Sequence, residues 1–258
     1  RVAAGNSRRL SDYVSCERVF RPSLENKPVI VLSNNDGMVI SRSEQAKRLK
    51  IGMAVPYHEC KALCQKHKVQ VFSSNYTLYG EMSQRVMDSV KTFVPETEVY
   101  SIDECFLDFT SFKHYDLMQK SLKIRQKIKQ WTGIPVGIGI GPTKTLAKIS
   151  NFCAKKFVHH GVFLIDDFNK NEILKVFPVE EIWGIGRQYA AKLHNFGIHT
   201  ALQLMEANLA FIRQHFTVVG ERIVYELRGV PCLSLNPPVA KKGITSSKSF
   251  GYPLTEEK

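Results

Sequence analysis

The feature that most constrains this chain is a pair of adjacent carboxylates inside an apolar stretch. Residues 99–109 read Val-Tyr-Ser-Ile-Asp-Glu-Cys-Phe-Leu-Asp-Phe, and this aliphatic and aromatic content predicts a buried strand. Successive side chains of a strand point to opposite faces of the sheet. Asp103 and Glu104 can therefore serve one site only if they lie at a hairpin tip or a bulge.

Two buried acids with no cation in the local sequence carry a large desolvation cost. A hard divalent ion relieves that cost, because Mg²⁺ and Mn²⁺ take oxygen ligands and keep coordination positions open for phosphates. The pair Asp103 and Glu104 therefore indicates a metal site. The alternative is an exposed hairpin end with two solvated acids, which is a common structural arrangement.

The net charge of the chain indicates the class of partner. Over 258 residues, 36 Lys and Arg against 24 Asp and Glu give a formal charge of +12. Such an excess favours a polyanion as ligand, with binding that falls steeply as salt rises. A merely basic protein and a membrane surface are the alternatives. No apolar run reaches the roughly 18 residues of a spanning helix and no signal peptide is visible, so we expect no membrane association.

The six cysteines are scattered along the chain, which predicts reduced thiols and a cytoplasmic location. One cluster deserves separate consideration, because His58, Cys60, Cys64 and His67 lie within ten residues. Zinc takes four nitrogen or sulfur ligands, but the usual paired spacing is absent and the segment is typical of a helix. A zinc site is therefore the less favoured interpretation.

Local patterns predict most of the regular elements. Apolar runs predict strands over residues 28–33 and 38–40, and Ser43 is a candidate cap for the helix that follows. Apolar side chains at helical spacing predict core-facing helices over residues 82–93 and 117–131. Alternating glycines over residues 136–141 predict a strand with a glycine face that another backbone can approach closely. A basic helix is predicted to start near Thr143.

Several blocks of the sequence resemble one family of enzymes. Tyr-Ser-Ile-Asp-Glu at residues 100–104 resembles the acidic signature of the Y-family, lesion-bypass DNA polymerases. Further blocks, in the same order, resemble the UmuC branch of that family: residues 13–20, 31–37, 143–148, 183–187 and 226–229. The resemblance runs from about Tyr13 to the end of the sequence.

The resemblance implies a fold and a domain order. The expected fold class is an α/β (α+β) palm with an inserted small fingers subdomain, followed by an all-α helix-hairpin-helix thumb and only the start of a little-finger domain. The implied boundaries are 1–22 for an arm and the first part of the palm, 23–75 for the fingers, 76–165 for the palm with the acidic strand, 166–232 for the thumb, and 233–258 for a linker and a truncated little finger.

The resemblance also assigns roles to individual residues. Asp103 and Glu104 are the expected catalytic and metal-binding residues, holding Mg²⁺ in a two-metal site that acts on deoxynucleoside triphosphates. Tyr13 resembles the steric gate that excludes a ribose 2′-hydroxyl, and Lys47 and Lys155 match positions that bind the incoming triphosphate. From the residues alone, Tyr13 is equally typical of a buried tyrosine at the end of a strand, and the lysines of solvated helix faces.

A turn at residues 184–187 resembles the helix-hairpin-helix motif of the thumb. Gly184, Ile185, Gly186 and Arg187 would present backbone N–H groups at a helix N-terminus, which is a DNA phosphate site without sequence preference. Both glycines are expected to tolerate positive φ. Residues 216–221 resemble a second, weaker hairpin. The alternative is a turn that only packs.

The resemblance fails before Tyr13. Residues 1–12 show neither helix nor strand periodicity and predict a basic, flexible arm. The family places a metal-binding Asp five residues before the tyrosine, and that position here is Arg8, a cation that would repel metal ions. Asp12, adjacent to Tyr13, should face a different way. We therefore expect impaired catalysis; the alternative is that a frameshift, fusion or wrong start site produced the arm and left the rest intact.

Three functions follow from these patterns. The first is translesion DNA synthesis in the bacterial SOS response, with primer–template DNA as partner. A UmuD′-like subunit and a sliding clamp are expected for the family, although their binding regions are predicted to be absent here. The second is a non-catalytic DNA-binding remnant or competitor of the polymerase. The third, a palm-fold cyclase, is disfavoured by the helix-hairpin-helix.

Overall fold

The computed structural model describes residues 2–6, 13–112, 114–236 and 243. Its strands are β1 (Val2–Asn6), β2 (Val29–Leu32), β3 (Val39–Arg42), β4 (Gln70–Ser73), β5 (Thr97–Val99), β6 (Glu104–Asp108), β7 (Gly137–Gly141) and β8 (Val162–Leu164). They form a five-stranded sheet with the order β5-β6-β1-β7-β8, here called the central sheet, and a three-stranded sheet with the order β3-β2-β4, here called the small sheet.

The α-helices lie between and after these strands. They are α1 (Tyr13–Phe20), α2 (Glu44–Arg48), α3 (Tyr57–Lys66), α4 (Tyr76–Lys91), α5 (Leu117–Thr132), α6 (Lys144–Lys156), α7 (Lys170–Val176), α8 (Arg187–Asn195), α9 (Ala201–Glu206) and α10 (Leu209–Arg228). Within the described ranges, none of them is both long and apolar enough to cross a bilayer.

The expectation of a flexible arm over residues 1–12 is wrong for its first half. Val2–Asn6 forms the middle strand of the central sheet and pairs antiparallel with β6 on one side and with β7 on the other. Its sequence, Val-Ala-Ala-Gly-Asn, lacks the alternation that marks a strand, but the two neighbouring strands supply hydrogen-bond partners for its backbone. Residues 7–12, including Arg8 and Asp12, lie outside the described residues.

One face of the central sheet carries the main core. Helices α4 and α5 cover it with Val86, Val90, Ile124 and Ile128, which pack with apolar side chains of β6 and β7. Helix α5 covers its predicted segment, and α4 covers the predicted segment except for its last two residues, 92 and 93. Gly133 caps the C-terminus of α5 with a φ of 75°, in the left-handed region. Trp131, assigned to the apolar face from its spacing, is 53% exposed.

The other face of the central sheet is covered by α6 at unusually short range. A Cβ added at Gly139 would overlap the backbone of Asn151, and one at Gly141 would lie 2.7 Å from the backbone N of Ala147. The glycine face predicted from the alternation is therefore confirmed, and the element that approaches it is α6. Thr143 caps this helix by accepting a hydrogen bond from the backbone N of Leu146 at 3.2 Å.

The small sheet has a core of its own. Strand β2 pairs antiparallel with β3 and parallel with β4, and Ile30, Leu32 and Ile51 pack there with residues of α2 and α3. Ser43 caps α2 as predicted, because its side chain accepts a hydrogen bond from the backbone N of Ala46.

Residues 170–228 form a unit of helices, here called the helical unit, which surrounds a second large apolar cluster. The long helix α10 is interrupted at Thr217, where φ is 60° and ψ is −168°. This break falls within the segment that resembles a second hairpin. A residue other than glycine persists in such a conformation only when the surrounding packing fixes it, and the flanking Phe216 is 2% exposed.

The close approach of α6 to β7 predicts opposite effects for two Gly→Ala substitutions. Gly139→Ala should destabilise the fold by about 1–3 kcal/mol, because backbone atoms on both elements must move. Gly80→Ala, inside α4 with no atom within 4 Å of the new Cβ, should stabilise it by about 0.5–1 kcal/mol. Urea unfolding of the two variants measures both, and equal effects would contradict the packing described here.

Candidate active site

The acidic pair lies at the tip of the β5–β6 hairpin. The strands pair antiparallel with Val99 opposite Cys105, and the backbone N–H groups of Tyr100 and Ser101 both donate to the carbonyl of Glu104 at 3.0 Å. The strand predicted over residues 99–109 is therefore interrupted by a turn. The requirement that both acids lie at a hairpin tip is met, because Asp103 ends the turn and Glu104 begins β6.

Local hydrogen bonds hold the tip in place. The hydroxyl of Ser101 donates to the Asp103 carboxylate at 2.6 Å, and it accepts from the Asp103 backbone N at 3.3 Å. The hydroxyl of Ser83 on α4 donates to the carbonyl of Ile102. The Asp103 carboxylate is thus oriented by its own turn.

Glu104 has a cationic partner that its local sequence does not reveal. Lys148 on α6 lies with its Nζ 2.7 Å from the Glu104 Oε2. The same ammonium group lies 4.9, 5.8 and 5.6 Å from the ring centroids of Tyr100, Phe106 and Trp183. The local sequence contains no cation, as stated above, but the fold supplies one to Glu104 from 44 residues away.

A second ion pair lies one helical turn from the first. Lys144 pairs with Glu98, and their side chains are 3% and 10% exposed. The carboxylate of Glu98 also accepts a hydrogen bond from the backbone N of Asn236 at 2.9 Å. This buried pair joins three parts of the fold: α6, the edge of the central sheet and the segment after α10.

Tyr13 is the first residue of α1 and not the end of a strand. Its ring stacks on Tyr79 with centroids 4.2 Å apart and planes 11° apart, and it meets the edge of Tyr76 at 6.0 Å. Burial, followed by the neighbouring Tyr76 and Asp103, raises the pKa of the Tyr13 phenol. The Asp103 carboxylate thus lies near enough to act electrostatically on the Tyr13 phenol.

The two lysines assigned to the triphosphate lie on different units. Lys47 lies on α2 and forms an ion pair with Glu44 at 2.7 Å, with the side chains 44% and 62% exposed. Lys155 lies in the last turn of α6, two turns beyond Lys148. Their assignment to a triphosphate stays a prediction.

The turn at residues 184–187 has the geometry of a hairpin between short helices. Gly184 has a φ of 91°, as expected, but Gly186 has a φ of −81° and caps α8 in an extended conformation. Gly184 therefore uses the positive φ that glycine tolerates, whereas Gly186 does not. Ile185, which is 8% exposed, anchors the turn. The first backbone N–H groups of α8, beginning at Arg187, have no hydrogen-bond partner within the helix.

Trp183 connects this turn to the acidic hairpin. Its indole N–H donates to the Tyr100 hydroxyl at 3.1 Å, and the two rings meet at 90° with centroids 5.5 Å apart. Sequence reasoning did not identify Tyr100, Trp183 or Lys148 as one cluster. All three residues lie in sequence blocks that resemble the polymerase family, which was the one indication that they belong to the site. Their contact with one another depends on tertiary structure and cannot be predicted from those blocks.

The donor set at the hairpin tip fits one hard divalent ion. Asp103 and Glu104 supply carboxylate oxygens, and Mg²⁺ commonly takes one or two carboxylates and fills its other positions with water and substrate phosphates. Among the described residues, no group of three or more His, Cys, Asp or Glu side chains could hold a metal. A three-carboxylate site is therefore not formed by this part of the chain.

The same observation bears on the zinc alternative. His58, Cys60, Cys64 and His67 all lie in the described ranges and do not form such a group. Burial raises the pKa of the Cys64 thiol to about 11. The described residues therefore give the zinc interpretation no support.

Comparison with known proteins identifies the family. Residues 11–151 match the impB/mucB/samB family. The chain belongs to that family. It is 47% identical over 253 residues to protein ImpB of Salmonella typhimurium, covering 96% of this chain and 60% of that protein. It is 46% identical over 251 residues to protein UmuC of the same species, covering 95% of this chain and 60% of that protein.

The fold is that of the Y-family DNA polymerases. A solved structure of a Y-family DNA polymerase chimera built on Dbh matches with a TM-score of 0.79 and 21% identity, over 93% of this chain and 70% of the chimera. The predicted fold class and the predicted resemblance are both confirmed. The chain spans about three fifths of the length of the curated relatives it matches.

Tyr79, on which the Tyr13 ring stacks, makes one buried hydrogen bond whose contribution to stability can be tested. The Tyr79 hydroxyl donates to Glu17 Oε1 at 3.0 Å, and burial raises the pKa of this phenol, which keeps it a donor at neutral pH. Tyr79→Phe keeps the ring but leaves the buried Glu17 carboxylate without this donor, so we expect a loss of about 1–3 kcal/mol of unfolding free energy.

Tyr115→Phe is the matched control for this substitution. Tyr115 is 64% exposed, and its loss of a hydroxyl should change the unfolding free energy by less than about 0.5 kcal/mol. Urea unfolding compares the two variants. A Tyr79→Phe protein as stable as Tyr115→Phe would show that the bond to Glu17 contributes nothing.

Proposed function

We propose that this chain carries the palm, fingers and thumb of a DNA polymerase that copies past lesions in the bacterial SOS response. The observation that carries the proposal is that Asp103 and Glu104 lie together at a hairpin tip, with Asp103 in electrostatic range of Tyr13. The proposed boundaries are 23–75 for the fingers, 76–165 for the palm and 166–232 for the thumb. The likeness to polymerases in fold and the family membership support the proposal.

The residues of the site have distinct roles in template-directed nucleotidyl transfer. The primer 3′-hydroxyl attacks the α-phosphate of an incoming deoxynucleoside triphosphate. Asp103 and Glu104 would hold Mg²⁺, which supplies charge stabilisation for the reacting phosphate when bound. The Tyr13 ring, held flat by Tyr79, would exclude a ribose 2′-hydroxyl. Lys47 and Lys155 would neutralise the triphosphate.

The helical unit would bind the duplex through its backbone. The N–H groups at the start of α8 and the exposed side chain of Arg187 can receive phosphate oxygens without reading bases. Trp183 would place this turn beside the hairpin tip. Primer–template DNA is therefore the proposed ligand, and a UmuD′-like subunit and a sliding clamp are proposed partners of the whole protein in the cytoplasm.

We propose further that catalysis by the chain as it stands is impaired. The described residues form no group of three side chains that could hold a metal, and the position five residues before Tyr13 is Arg8. The register of the central sheet places Asn6 opposite Glu104. Neither Arg8 nor Asn6 carries the acidic group that a two-ion mechanism needs to hold both ions.

The second candidate function is a DNA-binding protein without chemistry, which competes for primer ends. The pairing of Glu104 with Lys148 favours it, because a carboxylate neutralised by an ammonium group attracts a metal less strongly. The helix-hairpin-helix and the basic surface would then be the functional parts of the chain.

Restoring the third carboxylate distinguishes the two candidates. Arg8→Asp follows the spacing from Tyr13, and Asn6→Asp follows the register with Glu104. At least one of them should raise primer extension with Mg²⁺ by roughly 10- to 100-fold, which corresponds to about 1.4–2.7 kcal/mol of barrier. Single-nucleotide extension of a labelled primer–template measures the rate.

Two control substitutions test whether any gain in primer extension depends on the acidic pair. Adding Asp103→Asn to the more active variant should abolish the gain, whereas adding Lys91→Ala, an exposed change on α4, should preserve it. If the starting chain and both variants bind duplex but none extends the primer, the polymerase proposal fails and the non-catalytic one stands. A starting chain that already extends the primer as fast as both variants would overturn the proposed impairment.

Binding of duplex DNA should depend on salt concentration in a way that reports phosphate contacts. Arg187→Ala should weaken binding to duplexes of any sequence and lower the slope of log affinity against log salt by about 1, because one phosphate contact is lost. Lys91→Ala should leave the slope within error. Fluorescence anisotropy at several salt concentrations measures both, and indistinguishable slopes would refute phosphate binding at this turn.

A further inference from the structure

The ammonium group of Lys148 has two sets of favourable contacts. On one side it pairs with the Glu104 carboxylate at 2.7 Å. On the other side the rings of Tyr100, Phe106 and Trp183, here called the aromatic cage, lie within 6 Å of it. A cation over aromatic faces is stabilised by the ring quadrupoles, so the cage can hold the ammonium group without the carboxylate.

The two ion pairs on α6 differ in how easily they can be broken. Lys144 and Glu98 are 3% and 10% exposed, and the carboxylate has a further donor in Asn236. Lys148 and Glu104 are 15% and 21% exposed. Separating the first pair would leave uncompensated buried charges. Separating the second leaves a cation in the cage and a carboxylate that solvent or another cation can reach.

Glu104 is also one of the two carboxylates proposed to hold a divalent ion. An ion bound there would bring two positive charges close to the Lys148 ammonium group, and the repulsion would favour its retreat from the carboxylate. We propose that Lys148 is an internal competitor for the metal: it occupies Glu104 in the metal-free protein and moves to the aromatic cage when a divalent ion binds. Lys148 is thus a positioning residue, and this role rests on the proposed metal site.

The geometry also links the exchange to the thumb. Trp183 contributes one wall of the aromatic cage and immediately precedes Gly184 of the hairpin turn, and its N–H group is bonded to Tyr100 at the hairpin tip. A change in the position of the ammonium group therefore changes the environment of an indole that lies in the helical unit. Trp183 becomes an intrinsic reporter of metal binding at Glu104.

The competition is tested on the full chain with Mn²⁺ alone, without DNA or nucleotide, by measuring free Mn²⁺ with electron paramagnetic resonance. Lys148→Met removes the competing charge and should tighten Mn²⁺ binding by about three- to tenfold, the range expected for a partly exposed ion pair. Lys148→Arg keeps the charge and should bind Mn²⁺ no more tightly than the starting protein.

Two further variants separate this inference from the metal site itself. Glu104→Gln should weaken Mn²⁺ binding, and Lys91→Met, which removes an exposed ammonium group from α4, should leave it within about twofold. If Glu104→Gln weakens binding but Lys148→Met does not tighten it, the competition is refuted while the metal site stands. If neither Glu104→Gln nor Asp103→Asn changes Mn²⁺ binding, the proposed metal site is wrong and the competition falls with it.

Fluorescence provides a readout that a purely structural lysine would not affect. The chain has two tryptophans, so Trp131→Phe leaves Trp183 as the sole indole. Its emission should change as Mg²⁺ saturates the protein, and the change should be lost in Glu104→Gln and in Lys148→Met. An unchanged emission at Mg²⁺ concentrations that fill the site would overturn the movement of Lys148 to the cage.

Discussion

The close packing of α6 against β7 is the contact on which the rest of the site depends. Gly139 and Gly141 let the helix backbone approach the strand to a distance that any side chain would prevent. At this distance α6 brings Lys144 and Lys148 to the acidic hairpin and its N-terminus to α10. A side chain on that face of β7 would push the helix outward and separate all these contacts at once.

The two ion pairs show how burial determines what a charge can do. Both lysines lie on α6, one turn apart, and both face glutamates of the β5–β6 hairpin. The deeper pair joins Lys144 to Glu98 and holds three segments together. The shallower pair joins Lys148 to Glu104 and is open to exchange. A difference of roughly a tenth in exposure thus separates a structural role from a proposed functional one, because the desolvation cost falls as water gains access.

The sequence predicted the elements whose signals are local. The helices α4 and α5, the cap at Ser43 and the glycine face of β7 follow from periodicity, turn chemistry and the absence of side chains. It failed at β1, because the strand forms through pairing with β6 and β7 and not through its own composition. It also failed to identify the Lys148 contact, since a pairing over 44 residues leaves no trace in the spacing of either residue.

The buried carboxylate of Glu226 has a mechanical consequence. Its side chain is 0% exposed and accepts hydrogen bonds from the backbone N–H groups of Thr145, Cys232 and Leu233. Pulling α10 away from α6 would deprive a buried charge of these donors. Glu226 therefore fastens α10 both to the first turn of α6 and to the segment that follows α10. A substitution that removes this carboxylate would loosen both junctions together.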